Sequence, residues 1–201
     1  MPVGRYTVMD GAGHPVGAEE FRCAPGPAGW RYFSTIETVV PEPHREVVDL
    51  VVDGDWRPVR LRIDTGSHQL HLVTEGDRLV GRRDEDPVDL AFGPHTELDY
   101  LSPAFNAVTA NRLAGSAEFD VVYLEPFTCR PVLDRQRYEQ GPEEDVETPV
   151  GRFTARRWGY TAVSSGWTAT FWAAGDVVVA YEGLFELSEY EAGPRGPFPE
   201  R

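Results

Sequence analysis

Short runs in which apolar and polar residues alternate recur along the chain, broken by Gly, Pro and Asp. A period of two sends successive side chains to opposite faces, the mark of a half-buried strand. Such runs predict strands over residues 5–9, 18–23, 30–39, 46–52, 56–63, 69–73, 78–82 and 88–92. Asp53-Gly54-Asp55, between two of them, is a tight hairpin signal. The pattern changes after Gly93-Pro94. Ser102-Pro103 opens a helix predicted over 103–113, with Ser suited to the cap and Pro to the first helical position. Gly115 stops it, and Phe105, Val108 and Leu113 give it an apolar face. Strands resume over 118–124, 131–138, 150–160, 167–173 and 177–187.

The acidic stretch 139–149 reads as a mobile loop, and 191–201 as a flexible tail. That leaves one β-rich domain over residues 1–190. Many strands with short turns must curl to bury one face. The expected fold is therefore mainly β: a strongly curved antiparallel sheet, half-barrel to barrel, wrapped around one inserted helix.

Charge narrows the partners. The chain has 19 basic residues against 33 acidic ones, a net charge of −14. Polyphosphate is repelled by such a surface, so nucleic acid is not an expected partner. Every basic residue other than His is Arg. Without Lys there is no Schiff base and no phosphate-loop ammonium. The longest apolar run, Val177 to Tyr181, is too short for an integral membrane segment, and the N-terminus lacks the apolar core of a signal peptide. A cytoplasmic location is the expectation. Cys23 and Cys129 are too few for a disulfide framework and are read as small buried residues on strands. His68 and His71, three apart on a strand pair, point to opposite faces, so no metal and no cofactor is expected.

Asp64-Thr65-Gly66-Ser67 looks like the active-site loop of aspartic proteases. That chemistry needs two carboxylates sharing a proton, hence a symmetric homodimer. The preceding strand argues against it, because Arg60 and Arg62 keep one face wet. Asp, Gly and Ser also make turns for their own reasons.

Aromatic residues crowd the last strands: Phe153, Trp158, Tyr160, Trp167, Phe171, Trp172, Tyr181 and Phe185. They are either a core wall or the lining of a cavity for a large apolar ligand. Tyr and Trp suit a cavity, each bringing an apolar body and a polar handle. The candidate ligand-binding residues are Tyr100, Phe105, Asn106 and Arg112 around the helix. Tyr123, Tyr138, Trp158, Tyr160, Trp167 and Trp172 join them from the late strands. Arg112 at a cavity mouth would hold a carboxylate, enolate or sulfonate; otherwise it pairs with a surface acid. No residue is singled out as catalytic.

An ordered set of short motifs carries a family resemblance across roughly residues 45–187. They include Asp55-Trp56-Arg57, Leu70-His71-Leu72, Ser102-Pro103-Ala104-Phe105-Asn106 with Arg112-Leu113, and Val121-Val122-Tyr123. Gln136-Arg137-Tyr138, Phe153-Thr154-Ala155 and Val177 to Tyr181 complete the set. In these the chain resembles a family named for glycolipid binding, with a fold similar to the lipoprotein carriers LolA and LolB. The resemblance implies a curved sheet around a helix plug and a lipophilic small-molecule partner. The family's Pro-Ile-Arg-Arg helix ending is absent, since the helix here ends Val108-Thr109-Ala110-Asn111-Arg112. Three functions follow: a binder of a lipid or polyketide-like molecule, a cofactor-independent cyclase or isomerase on the same cavity, and the dimeric protease using Asp64.

Overall fold

The computed structural model describes residues 1–26 and 29–193. Among them fifteen strands form one sheet. The first half comprises β1 (Val3–Met9), β2 (Pro15–Gly26), β3 (Gly29–Thr38), β4 (His44–Asp53), β5 (Pro58–Asp64), β6 (Gln69–Glu75), β7 (Arg78–Arg83) and β8 (Asp86–Ala91). A short β9 (Thr96–Asp99) leads into the helix α1 (Pro103–Arg112). Then come β10 (Ala117–Leu124), β11 (Pro131–Thr148), β12 (Gly151–Ala162), β13 (Trp167–Ala174), β14 (Val177–Tyr181) and β15 (Phe185–Glu191).

Two meanders, β1 to β8 and β10 to β15, are joined where β1 pairs with β15. Every neighbouring pair is antiparallel except β9 with β10. That pair is parallel because α1 crosses over between them. The sheet stays open, with β8 and β9 as its edges. Only residues 92–95 connect those two edges. At roughly 3.5 Å per residue, the link from Ala91 to Thr96 spans at most about 18 Å. The sheet must therefore curl until its edges nearly meet.

Two arginines fasten this link. Arg57 donates to the carbonyls of Phe92 (2.7 Å) and Gly76 (3.0 Å), and its guanidinium lies over the Phe92 ring. Arg112 donates to the carbonyls of Thr96 and Pro94 and to Glu97 Oε1. Close packing of strands also needs Gly81, at φ +158°, where a Cβ would fall 1.9 Å from the His71 carbonyl oxygen.

The helix fills the interior. Ser102 caps it, accepting from the Ala104 N–H, and Pro103 occupies the first turn. Ala104, Ala107 and Ala110 keep part of its surface slim, so that the sheet packs close to it there. Phe105 and Val108 belong to one buried cluster with Tyr32, Leu50, Leu61 and Leu72. Ala107 and Ala110 belong to another with Tyr6, Trp158, Phe171 and Val178. Seven of its ten residues are buried, which makes it a plug rather than a surface helix.

Four local expectations need correcting. Residues 139–149 are not a loop: β11 runs on to Thr148 in a long hairpin with β12. The acids there face arginines across the hairpin, Arg152 to Glu147 at 2.7 Å and Arg156 to Glu143 at 3.5 Å. The run 177–187 is two strands, divided at Glu182-Gly183-Leu184, where Gly183 takes φ +77°. Cys129 is buried as expected but lies in the β10–β11 turn, not on a strand. Trp56 precedes β5 with φ 64°, in the hairpin turn. Residues 194–201 of the expected tail lie outside the described residues.

Candidate functional site: a cavity beside the helix N-terminus

A partly enclosed cavity of about 430 Å³ lies where the chain passes from β9 into α1. One wall is the link Asp99-Tyr100-Leu101-Ser102 with Asn106 from the helix. The sheet supplies Tyr123 from β10, Asp134 and Gln136 from β11, and Tyr160 and Ala162 from β12. Period two explains the choice: Asp134 and Gln136 share an inward face, as do Tyr160 and Ala162. Ser164, Ser165 and Trp167 form the rim of the β12–β13 turn, and Tyr181, Leu184 and Phe185 complete the enclosure. Trp167 remains 42% exposed, with its ring 5.3 Å from that of Tyr160.

The deep end is polar. Gln136 Nε2 donates to Asp99 Oδ2 at 2.5 Å and to the Tyr160 hydroxyl at 2.7 Å. The Tyr160 hydroxyl in turn points at Asp99 Oδ2, 3.4 Å away. Asn106 Nδ2 donates to the hydroxyl of Tyr138 at 2.8 Å. Burial pushes Asp99 up to about 6, against the opposing hydrogen bonds from Gln136, the Tyr100 amide and Tyr160. Burial also raises the phenols of Tyr160 and Tyr181, and that of Tyr123 to about 12, so all three stay protonated at neutral pH.

The link that floors the cavity is latched to the sheet by buried acids. Tyr100 donates to Glu46 Oε2 on β4 at 2.5 Å. Ser102 Oγ donates to Glu19 Oε1 on β2 at 2.6 Å. Between them Leu101 is left 38% exposed against the cavity.

Of the residues singled out from the sequence, Tyr100, Asn106, Tyr123, Tyr160 and Trp167 meet around this space. Tyr138 and Trp158 lie behind it, 1% and 2% exposed, in the buried aromatic wall. Phe105 packs on the other side of the helix, edge-on to Tyr100. Trp172 is on the outer face, donating to Glu144 Oε1, because its neighbour Phe171 takes the inward position. Arg112 sits at the far end of the helix and is held by Glu97 at 2.8 Å and by the edge-to-edge link. That partner is a buried acid, 3% exposed, neither a ligand head group nor the surface acid that the sequence offers as alternatives. Burial, opposed by Arg112, raises Glu97 to about 7.

Asp99, Asp134, Gln136 and Ala162 line the cavity without having been singled out from the sequence. A signal existed for two of them. Gln136 is a polar residue in register with Tyr138 on an inward face, and Asp99 stands immediately before the helix-start motif. Asp64 is exposed at the β5–β6 turn, where the alternation that buries Leu61 and Ile63 turns Arg62 and Asp64 outward. Its Oδ1 accepts the Gly66 N–H at 2.8 Å, so this carboxylate caps its own turn. His68 pairs with Asp84 at 2.8 Å.

Fold and cavity together define an open, β-barrel-like sheet closed around a helical plug. No family model matches the chain, and no curated protein matches it. Solved structures share the fold. A DUF1089 family protein from Pseudomonas aeruginosa is 17% identical with a TM-score of 0.60, covering 84% of this chain and 91% of its own. A β-barrel-like protein of DUF1849, a domain of unknown function, from Brucella abortus is 12% identical with a TM-score of 0.55, covering 96% and 98%. No helix among the described residues is long and apolar enough to cross a membrane.

Proposed function

We propose that the protein binds a hydrophobic small molecule, a lipid or a polyketide-like compound, in the cavity between the curved sheet and the N-terminal end of α1. The observation that carries this reading is the cavity itself: about 430 Å³, walled by rings and aliphatic side chains, with a few converging polar groups at its deep end. Small-molecule sites have this anatomy and run from roughly 300 to 1,000 Å³. The resemblance to a family named for glycolipid binding supports the lipophilic character of the ligand.

Native mass spectrometry of freshly purified protein tests the reading, with a co-purified lipophile as the expected result. Ala162→Trp is the matching variant, since Ala162 is only partly buried and faces the cavity. It should weaken binding of a fluorescent fatty probe by about tenfold or more, while overpacking costs about 1–3 kcal/mol of stability. Unchanged probe binding in a folded Ala162→Trp protein would remove the cavity from the account.

Asp99 favours a second reading on the same site, a cofactor-independent cyclase or isomerase. A carboxyl at about 6, hydrogen-bonded to Gln136 and Tyr160, can exchange a proton near neutral pH. A cavity that folds a flexible chain would supply the rest. In that case Asp99→Asn abolishes turnover of the bound compound and leaves its binding in place.

A further inference from the structure

The cavity's electrostatics are one-sided. Among the described residues two carboxylates, Asp99 and Asp134, line it, and no Arg or His does. This is not for want of cations, because the chain has nineteen Arg residues. At two other poorly exposed acids arginine is recruited: Arg112 pairs with Glu97, and on the outer face of the sheet Arg31 and Arg60 both pair with Asp49, whereas Glu19, like Asp99, is held by neutral groups. Asp99, 7% exposed, has only neutral partners in Gln136, Tyr160 and the Tyr100 amide. A buried carboxylate without a cation is costly. Around it stand Tyr123, Tyr160, Trp167 and Tyr181, whose ring faces attract positive charge.

Resting on the cavity reading above, we infer that the site selects a lipophilic amine: an apolar body carrying a protonated nitrogen, with the ammonium on Asp99 and the body against the aromatic wall. Gln136 fixes the direction of the carboxylate. Its Nε2 already serves Asp99 and Tyr160, so what Asp99 and Gln136 have left to offer a ligand in the cavity they line is acceptor capacity. An anionic head, such as a fatty-acid carboxylate or a phosphate, would meet two acids and no compensating donor cation.

The test is a set of alkyl probes with the same chain and different heads. Decylamine, decanol and decanoate are titrated into the full-length protein by isothermal calorimetry at pH 7.5, below their aggregation concentrations. The expected order is amine tightest, by at least about tenfold over the alcohol, with decanoate weakest. Asp99→Asn, of nearly the same shape, should bring the amine down to the alcohol. It changes the net charge of −14 by only one unit, so diffuse attraction of the amine to an acidic surface would survive it. Equal binding of the three probes by the native protein, or an amine preference that persists in Asp99→Asn, overturns the amine inference and leaves the cavity standing. Absence of binding by all three probes, or equal binding by Ala162→Trp, overturns the cavity reading as well.

Discussion

Glu19, Glu97 and Asp99 show what burial does to single residues. Each is nearly inaccessible, and burial raises its carboxyl, Glu19 and Glu97 to about 7 and Asp99 to about 6. Glu46, close to Glu19, pushes in the same direction. A folded-state value above the unfolded one means that the folded protein holds the proton more tightly. The stability this contributes is complete below the unfolded value, near 4.5 for Glu, and is lost as pH rises through about 7. Asp10, Asp84 and Glu125 are shifted the other way by their hydrogen bonds, so what they contribute is lost only as pH falls below the ordinary carboxylate range. Urea unfolding should therefore show stability declining from about pH 4.5 to pH 7. Glu19→Gln should flatten that decline and raise stability at pH 8; a curve unchanged by Glu19→Gln would contradict the burial of this acid. None of this was legible in the sequence, because an acid on an alternating strand reads as solvated unless its face is known to be the inner one.

At the scale of elements, the helix and its cap were readable and their surroundings were not. Ser102-Pro103 announces the start because a side-chain acceptor and a missing N–H suit those positions whatever lies nearby. The second task of Ser102, donating to Glu19 on a strand 83 residues away, has no local signature. Ser102→Ala thus removes two things: a cap worth about 1 kcal/mol, and one of the two hydroxyl partners, with Ser34, of a buried carboxylate, worth roughly 1–3 kcal/mol more. The loss, read from urea midpoints, should shrink when Glu19→Leu is added, since no acceptor is then left unpaired. A loss equal in both backgrounds would show that the cap alone matters. The hairpin of β11 and β12 makes the same point for strands. Its acidic half reads as a loop on charge alone, yet the arginines that neutralise it, Arg152 and Arg156, lie on the returning strand.

For the whole molecule the decisive pairing is β1 with β15, in which Val3 stands opposite Glu191. It welds the two meanders into one sheet and places the described ends of the chain side by side in its middle. A circular permutant that joins residue 193 to residue 1 through a short Gly/Ser linker and reopens at the exposed Gly54-Asp55 turn should keep the native near-ultraviolet circular dichroism and unfold cooperatively. Loss of cooperative unfolding would place the essential closure at the β4–β5 hairpin instead. The outer edge at β8 is guarded by Asp86, Pro87 and Asp89, which discourage another strand from adding there.

Alternation of apolar and polar residues, turn residues and one capped helix were enough to determine the class of fold, because each is a local rule that holds wherever the segment ends up. Alternation also dictates that Trp158 and Tyr160 share a face and that Phe171 and Trp172 part to opposite sides, but not which face turns inward: Trp172, a candidate cavity residue, lies outside. The curl of the sheet decided the rest. It brought Asp99, Gln136 and Tyr160 from three separate strands within hydrogen-bonding reach. It also carried Arg112 to the other end of the plug, away from the cavity mouth foreseen for it. Such meetings depend on distances between segments far apart in the chain, and those are set only when the edges of the sheet approach one another around the helix.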